Sequence, residues 1–140
     1  MGHSVIIAVG LVITFDGADD DNWEQEFEAL FARLKKVCQI SSYYSPYKTE
    51  EYYLLRGVDG YDTTNKAYLF AKSSMIWTTN CDGSSTAFFH EGDGMENPET
   101  FIDRIVVANE DASTKLNALC PQVGLPVGGV KVIRFSRTYE

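Results

Sequence analysis

The chain has 140 residues, 44% of them hydrophobic and 23% charged, with a net charge of -8. That composition describes a folded domain with a buried core and argues against disorder. The acidity argues against direct binding of nucleic acid, whose phosphates are held by Lys and Arg, and equally against an anionic membrane surface.

The first predicted element runs from Val5 to Phe15. Val5, Ile7, Val9, Leu11, Ile13 and Phe15 alternate with Ile6, Ala8, Gly10, Val12 and Thr14, so both faces are apolar and one is small, the pattern of a central strand. The run is too short to span a bilayer and lacks the basic residues and cleavage site of a signal peptide. Met1-Gly2 opens like a myristoylation signal, but Ile6 stands where Ser or Thr belongs.

Asp16-Gly17 then turns the chain into an amphipathic helix that reaches about residue 38, with Trp23, Phe27, Leu30, Phe31, Leu34, Val37 and Cys38 at helical spacing. Seven of the 20 acidic residues fall between Asp16 and Glu28 with no Lys or Arg among them, while Arg33, Lys35 and Lys36 sit at the far end. A helix macrodipole favours that polarity. Seven acids nonetheless exceed what one helix end requires, and the excess predicts a negative surface built from Asp19, Asp20, Asp21, Glu24, Glu26 and Glu28.

Residues 40–49 read as a loop. Six of the eight tyrosines lie between Tyr43 and Tyr61. Tyr43, Tyr44 and Tyr47 fall in the polar stretch SSYYSPYK, where large rings with hydrogen-bonding tips suit an interface. Packing over the end of the following strand is the structural alternative. Strands are predicted at 50–57 and 67–72 with a turn at 59–65 between them. A hairpin follows, 74–79 with 86–90, in a register pairing Thr79 with Thr86 and Trp77 with Phe88. This places Met75, Trp77 and Phe88 on one face and Ile76 and Phe89 on the other, so helices on one side leave an apolar face to be covered by the loop, a second subunit or a target.

Asn97-Pro98 starts a second helix. Phe101, Ile102, Ile105, Val106, Ala112, Leu116 and Leu119 follow as one helix or as two broken near Asn109. Cys120-Pro121 ends it, and 128–138 forms the last strand, with Val130 and Val132 on one face and Ile133 and Phe135 on the other.

This order predicts a single α+β domain over 1–140, an antiparallel sheet of about five strands with two helices on one face. The pattern resembles an elaborated ferredoxin-like sandwich, an architecture that hosts many unrelated functions.

Candidate chemistry is sparse. Asp-Gly occurs at Asp16, Asp59, Asp82 and Asp93, each between predicted elements, where turn chemistry suffices. A calcium loop started at Asp16 would need Gly where Asp21 stands. His90, Glu91, Asp93 and Glu96 gather potential ligands without metal-site spacing. A Cys81/His90 dyad fails because the predicted hairpin separates the two by roughly 20 Å. Cys38, Cys81 and Cys120 form no CxxC pair, which fits a reduced, cytoplasmic setting, and Cys38 and Cys120 read as small core residues. No cofactor or metal is expected.

The resulting expectation is a non-enzymatic inhibitor, immunity or anti-defence protein engaging a basic surface of a protein partner. Its binding residues would be Asp19, Asp20, Asp21, Glu24, Glu28, Tyr43, Tyr44 and Tyr47. Two alternatives stand beside it: a homo-oligomeric structural or assembly subunit, and a small ligand binder or enzyme with a pocket lined by Tyr68, Trp77, His90 and Arg134.

Overall fold

The structure is a computed structural model, and it describes the backbone of residues 2–15, 20–44, 49–59, 62–79, 85–87, 98–126 and 128–139. Seven strands and two helices are found among them: β1 (Gly2–Thr14), α1 (Asp20–Val37), β2 (Ile40–Ser41), β3 (Tyr52–Asp59), β4 (Asp62–Ala71), β5 (Met75–Thr79), β6 (Ser85–Ala87), α2 (Pro98–Leu119) and β7 (Lys131–Tyr139). Short 3-10 turns cover Lys72–Ser74 and Cys120–Val123. The class is α+β, as the alternation of periods implies.

β1 organises the sheet because its 13 residues are long enough to serve three partners. Gly2 to Gly10 pair with β7, Ile6 to Ala8 with β5, and Leu11 to Thr14 with β4, all antiparallel. The strand order is β2-β3-β4-β1-β5-β6, with β7 also on β1. The sheet is mixed instead of purely antiparallel, because β2 pairs parallel with β3 through Ile40 and Tyr52. Where β1 passes from β7 to β4 stands Gly10, buried; a Cβ there would lie 2.7 Å from the Cβ of Phe70 and against the Leu69 carbonyl. A side chain would close the space the two strands share.

Both helices send their buried stripes into one cluster. Trp23, Phe27, Leu30 and Leu34 of α1 and Ala108, Ala112, Leu116 and Leu119 of α2 meet Val9 and Leu11 of β1, Leu54 of β3 and Leu69 of β4. Val37, expected in the first stripe, is 40% exposed at the helix end. α2 is a single helix without a break at Asn109. Its stripe follows Arg104, Ala108, Ala112 and Leu116 at i, i+4 steps, while Ile102 and Val106, expected to be apolar contacts, are 58% and 53% exposed.

Alternation along the strands puts a second set of side chains on the opposite side of the sheet. Ile6, Ala8, Tyr53, Leu55, Phe70 and Met75 form this cluster, each at most 2% exposed. Tyr44 packs against it, its ring centroid 5.6 Å from that of Tyr53. The second face is therefore apolar, as expected, but these residues are closed off within one chain. They give no reason for a second subunit there.

The β5–β6 hairpin is one residue out of the expected register. Trp77 pairs with Ala87 and Thr79 with Ser85. Phe88 and Phe89 lie outside the described residues. An extra residue on β5, Ile76, bulges opposite the Ile7–Ala8 step of β1, so that Met75 opposes Ala8 while Trp77 opposes Ile7. Met75 therefore joins the second cluster while Ile76 and Trp77 both turn to the helix side, and the expected shared face of Met75 and Trp77 is lost.

Candidate functional site

α1 carries the acidic surface. Buried Trp23, Phe27, Leu30 and Leu34 orient the helix, which leaves Glu24, Glu26 and Glu28 exposed in its N-terminal half. Asp20 and Asp21 open the helix; Asp19 lies outside the described residues. The three glutamates are not equivalent. Glu28 accepts a hydrogen bond from Arg56 of β3 at 3.0 Å, and that guanidinium stands over the rings of Phe27 and Trp23, 4.8 and 5.6 Å from their centroids. Glu24 and Glu28, four residues apart, are like charges on one ridge, and Arg56 relieves their repulsion. Lys35 and Lys36 occupy the last turn of the helix, where the dipole favours them.

The tyrosines part company. Tyr43 is 50% exposed and held by its neighbour Ser41, whose hydroxyl donates to the Tyr43 carbonyl at 2.9 Å. Tyr44 is half-buried against Tyr53, so it belongs to the second apolar cluster and not to an open loop. Tyr47 lies outside the described residues.

Two of the residues expected to line a pocket, Trp77 and Tyr68, lie on opposite faces of the sheet. Trp77 and Arg134 flank Ile7 from the two strands that pair with it. Trp77 packs with the helix-side cluster, whereas Tyr68 packs with the opposite one. The sheet separates those two rings, and His90 lies outside the described residues.

A cleft of about 360 Å³ opens instead between the C-terminal ends of the two helices, where Cys38, Gln39, Glu51, Tyr52, Lys115 and Gln122 converge. Lys115 joins this cleft to a polar cluster in which Asp111 of α2 meets the 3-10 turn after β4. The hydroxyls of Ser73 and Ser74 each donate to Oδ2 of Asp111 at 2.7 Å, and Lys115 donates to Ser73 and pairs with Oδ1 of Asp111 at 3.5 Å. Burial alone would raise the Asp111 carboxyl, but the two hydroxyls and the ammonium outweigh it and hold the group below its ordinary value. Cys38 donates its thiol proton to the Leu34 carbonyl at 3.3 Å. Burial, with the nearby charge of Glu51, pushes that thiol up to about 11, and burial raises the Tyr52 phenol as well. A carboxylate held ionised is a weak base and a thiol held protonated is a weak nucleophile, so the cluster's chemistry is that of hydrogen-bonded fastening.

Among the described residues no group of three or more His, Cys, Asp or Glu is placed to hold a metal, and no helix is long and apolar enough to cross a membrane. No known protein family, curated protein or solved structure matches the chain.

Two features carry little or no signal in the sequence. Asp111 and Lys115 are an i, i+4 pair on α2, but their partners Ser73 and Ser74 are 37 to 42 residues away and carry no motif. Arg104 is buried at 5% exposure. It stands four residues before Ala108, on the stripe that continues through Ala112 and Leu116, and that phase is the one sign of its burial.

Proposed function

We propose that this protein is a non-enzymatic binding protein of the inhibitor or immunity kind, acting in the cytoplasm, whose acidic first helix engages a basic surface of a protein partner. One observation carries the reading: Glu24 and Glu26 stand exposed on α1 while Arg33, Lys35 and Lys36 are all confined to its other half. A patch of one sign speeds encounter and rejects partners of like charge. Tyr43, half in solvent beside Ser41, is the aromatic anchor that residence time requires. Tyr44 leaves the contact set, because its ring is committed to Tyr53. Glu28 contributes less than its neighbours, because Arg56 already answers its charge.

The fold reading that accompanies this function is an elaborated ferredoxin-like one. Its support is the succession β1-α1-β3-β4-α2-β7 of the longest elements, a β-α-β-β-α-β order to which β2, β5 and β6 are additions.

The test is capture of a partner from the native cell on the immobilised protein, comparing wild type with the double variant Glu24→Lys, Glu26→Lys. Wild type retains a basic partner that elutes as salt approaches about 1 M, where the Debye length falls to about 3 Å. The double variant keeps its melting temperature and loses the partner. Equal capture by both would remove the acidic face from the function.

A further inference from the structure

We propose that Arg104 anchors a site for a small oxyanion, taking the phosphate or carboxylate group of a small-molecule ligand in the seam between α2 and the strands beneath it.

Arg104 lies on the buried stripe of α2 with 5% of its surface exposed, and its Nη2 is buried with no hydrogen-bond partner. α2 packs over β1, β4 and β5 and the 3-10 turn between the last two, so this stripe faces the middle of the sheet. Among the described residues no carboxylate is paired with the guanidinium; Glu28 is taken by Arg56 and Asp111 by Lys115.

A buried charge of this kind has few ways out. Lys or His can shed its proton when desolvated, but a guanidinium cannot at any pH a protein survives. Left unpaired, it costs a large part of the total stability of a small domain. The same helix face shows how the chain treats a partly buried ion when it supplies the counter-group itself. Asp111 is seven residues further on, about 10.5 Å along the axis, and receives two hydroxyls and an ammonium. Its neighbour on the stripe has no such shell. Asp103 and Glu110 of α2 are exposed, so these two acids stand away from the buried side of Arg104.

The shape of the missing group follows from the donor. A guanidinium offers a planar fork that matches two oxygens of a phosphate or carboxylate, and a cation or a neutral hydrocarbon would leave it as unsatisfied as before. Since only a twentieth of the residue is exposed, the group that reaches it is small and enters edge-on. A flat protein surface could not make that contact. The site is thus separate from the acidic face of α1 and of opposite sign.

The experiment uses the full chain, wild type and Arg104→Gln, melted in chloride buffer and with added inorganic phosphate or acetate at constant ionic strength, with calorimetric titration of the same anions. One of the two anions is expected to raise the wild-type melting temperature saturably, on the order of 5–10 °C at a hundredfold excess over Kd. Phosphate acting alone identifies a phosphorylated ligand, and acetate acting alone a carboxylate. Arg104→Gln is expected to bind neither and, freed of an unpaired buried charge, to melt in chloride no lower than wild type. Absence of any saturable shift in wild type would overturn the proposal, as would an equal shift in Arg104→Gln. A variant melting far below wild type in chloride would also overturn it, because Arg104 would then have a partner within the chain.

Discussion

The hydroxyl of Ser74 donates to Oδ2 of Asp111 at 2.7 Å from a residue with no exposed surface, and so fastens the turn between β4 and β5 to the middle of α2. Truncating the carboxylate leaves that hydroxyl buried without a partner and frees Lys115 from its ion pair. Hydrogen bonds to a charged group are worth about 1.5–3 kcal/mol each, and the exposed side of the cluster is worth less. Asp111→Ala is therefore expected to lose about 2–3 kcal/mol in urea unfolding. The acid limb follows from the direction of the pKa. Because the folded carboxyl sits below its unfolded value of about 3.9, the folded state binds fewer protons in the interval between the two. The contribution is complete above the unfolded value and is lost as pH falls through the folded one. Asp111→Asn should flatten that part of the stability profile, and an unchanged acid limb would assign the network no role in it.

Gly10 makes a sharper demand. A methyl group there would meet Phe70 Cβ at 2.7 Å, and the Leu69 carbonyl besides, in backbone that cannot swing aside. Gly10→Ala is expected to cost on the order of 3 kcal/mol. The measurement is the denaturation midpoint, and a shift under about 1 kcal/mol would mean that β1 and β4 can move apart.

How much of the molecule is legible in its sequence turns on the range of each interaction. β1, α1 and the start of α2 are legible because alternation, 3.6-residue spacing and an Asn-Pro start act within a few residues. The apolar second face is legible too, through Ile6, Ala8 and Gly10. The one-residue register of the β5–β6 hairpin and the bulge that turns Trp77 toward the helices are not, since neither is decided by residues adjacent in the chain. The phase of α2 is legible in part: Ala112, Leu116 and Leu119 are buried as expected, but the bulk of Ile102 and Val106 misleads, because it is Ala108 that is buried and those two that are exposed. Of the expected binding residues, the acids of α1 fall together by helix geometry alone. Of the expected pocket residues, Tyr68 and Trp77 pack on opposite faces, because face assignment across a sheet depends on register.

Arg56 is engaged by both a charge and a pair of rings, and the two effects separate by substitution. The Glu28 side chain is 63% exposed, so its ion pair with Arg56 is screened and worth little. Glu28→Gln should change stability by under about 0.5 kcal/mol. Arg56→Ala removes the stacked guanidinium and its covering of Phe27 and Trp23, and should lose about 1 kcal/mol, nearly independent of salt. Equal losses for the two variants would mean that the ion pair, and not the stacking, holds Arg56 in place.

Tyr43 and Tyr44, adjacent in sequence, should respond oppositely to truncation. Tyr44 covers buried Tyr53, and Tyr44→Ala is expected to cost about 2 kcal/mol, roughly half of what a fully buried aromatic loses. Tyr43→Ala should stay within about 0.5 kcal/mol, as surface changes do, and should weaken partner capture instead. A large fall in melting temperature for Tyr43→Ala would place that ring in the fold and withdraw it from the binding face.

The Cys38 thiol gives a test that reads burial directly. Its rise from an ordinary 9.0 to about 11 lowers the thiolate fraction at pH 8 by about a hundredfold, and only the thiolate is alkylated. Cys120, buried and also raised, should be slower still. In a Cys81→Ser background, iodoacetamide should label the folded protein at pH 8 far more slowly than it labels free cysteine. The rate at Cys38 should climb as pH approaches 11, and urea should bring both thiols to the free rate at once. Rapid labelling of Cys38 at pH 7 would instead show a thiolate stabilised in the cleft, against both its burial and the charge of Glu51, and would reopen that cleft as a reactive site.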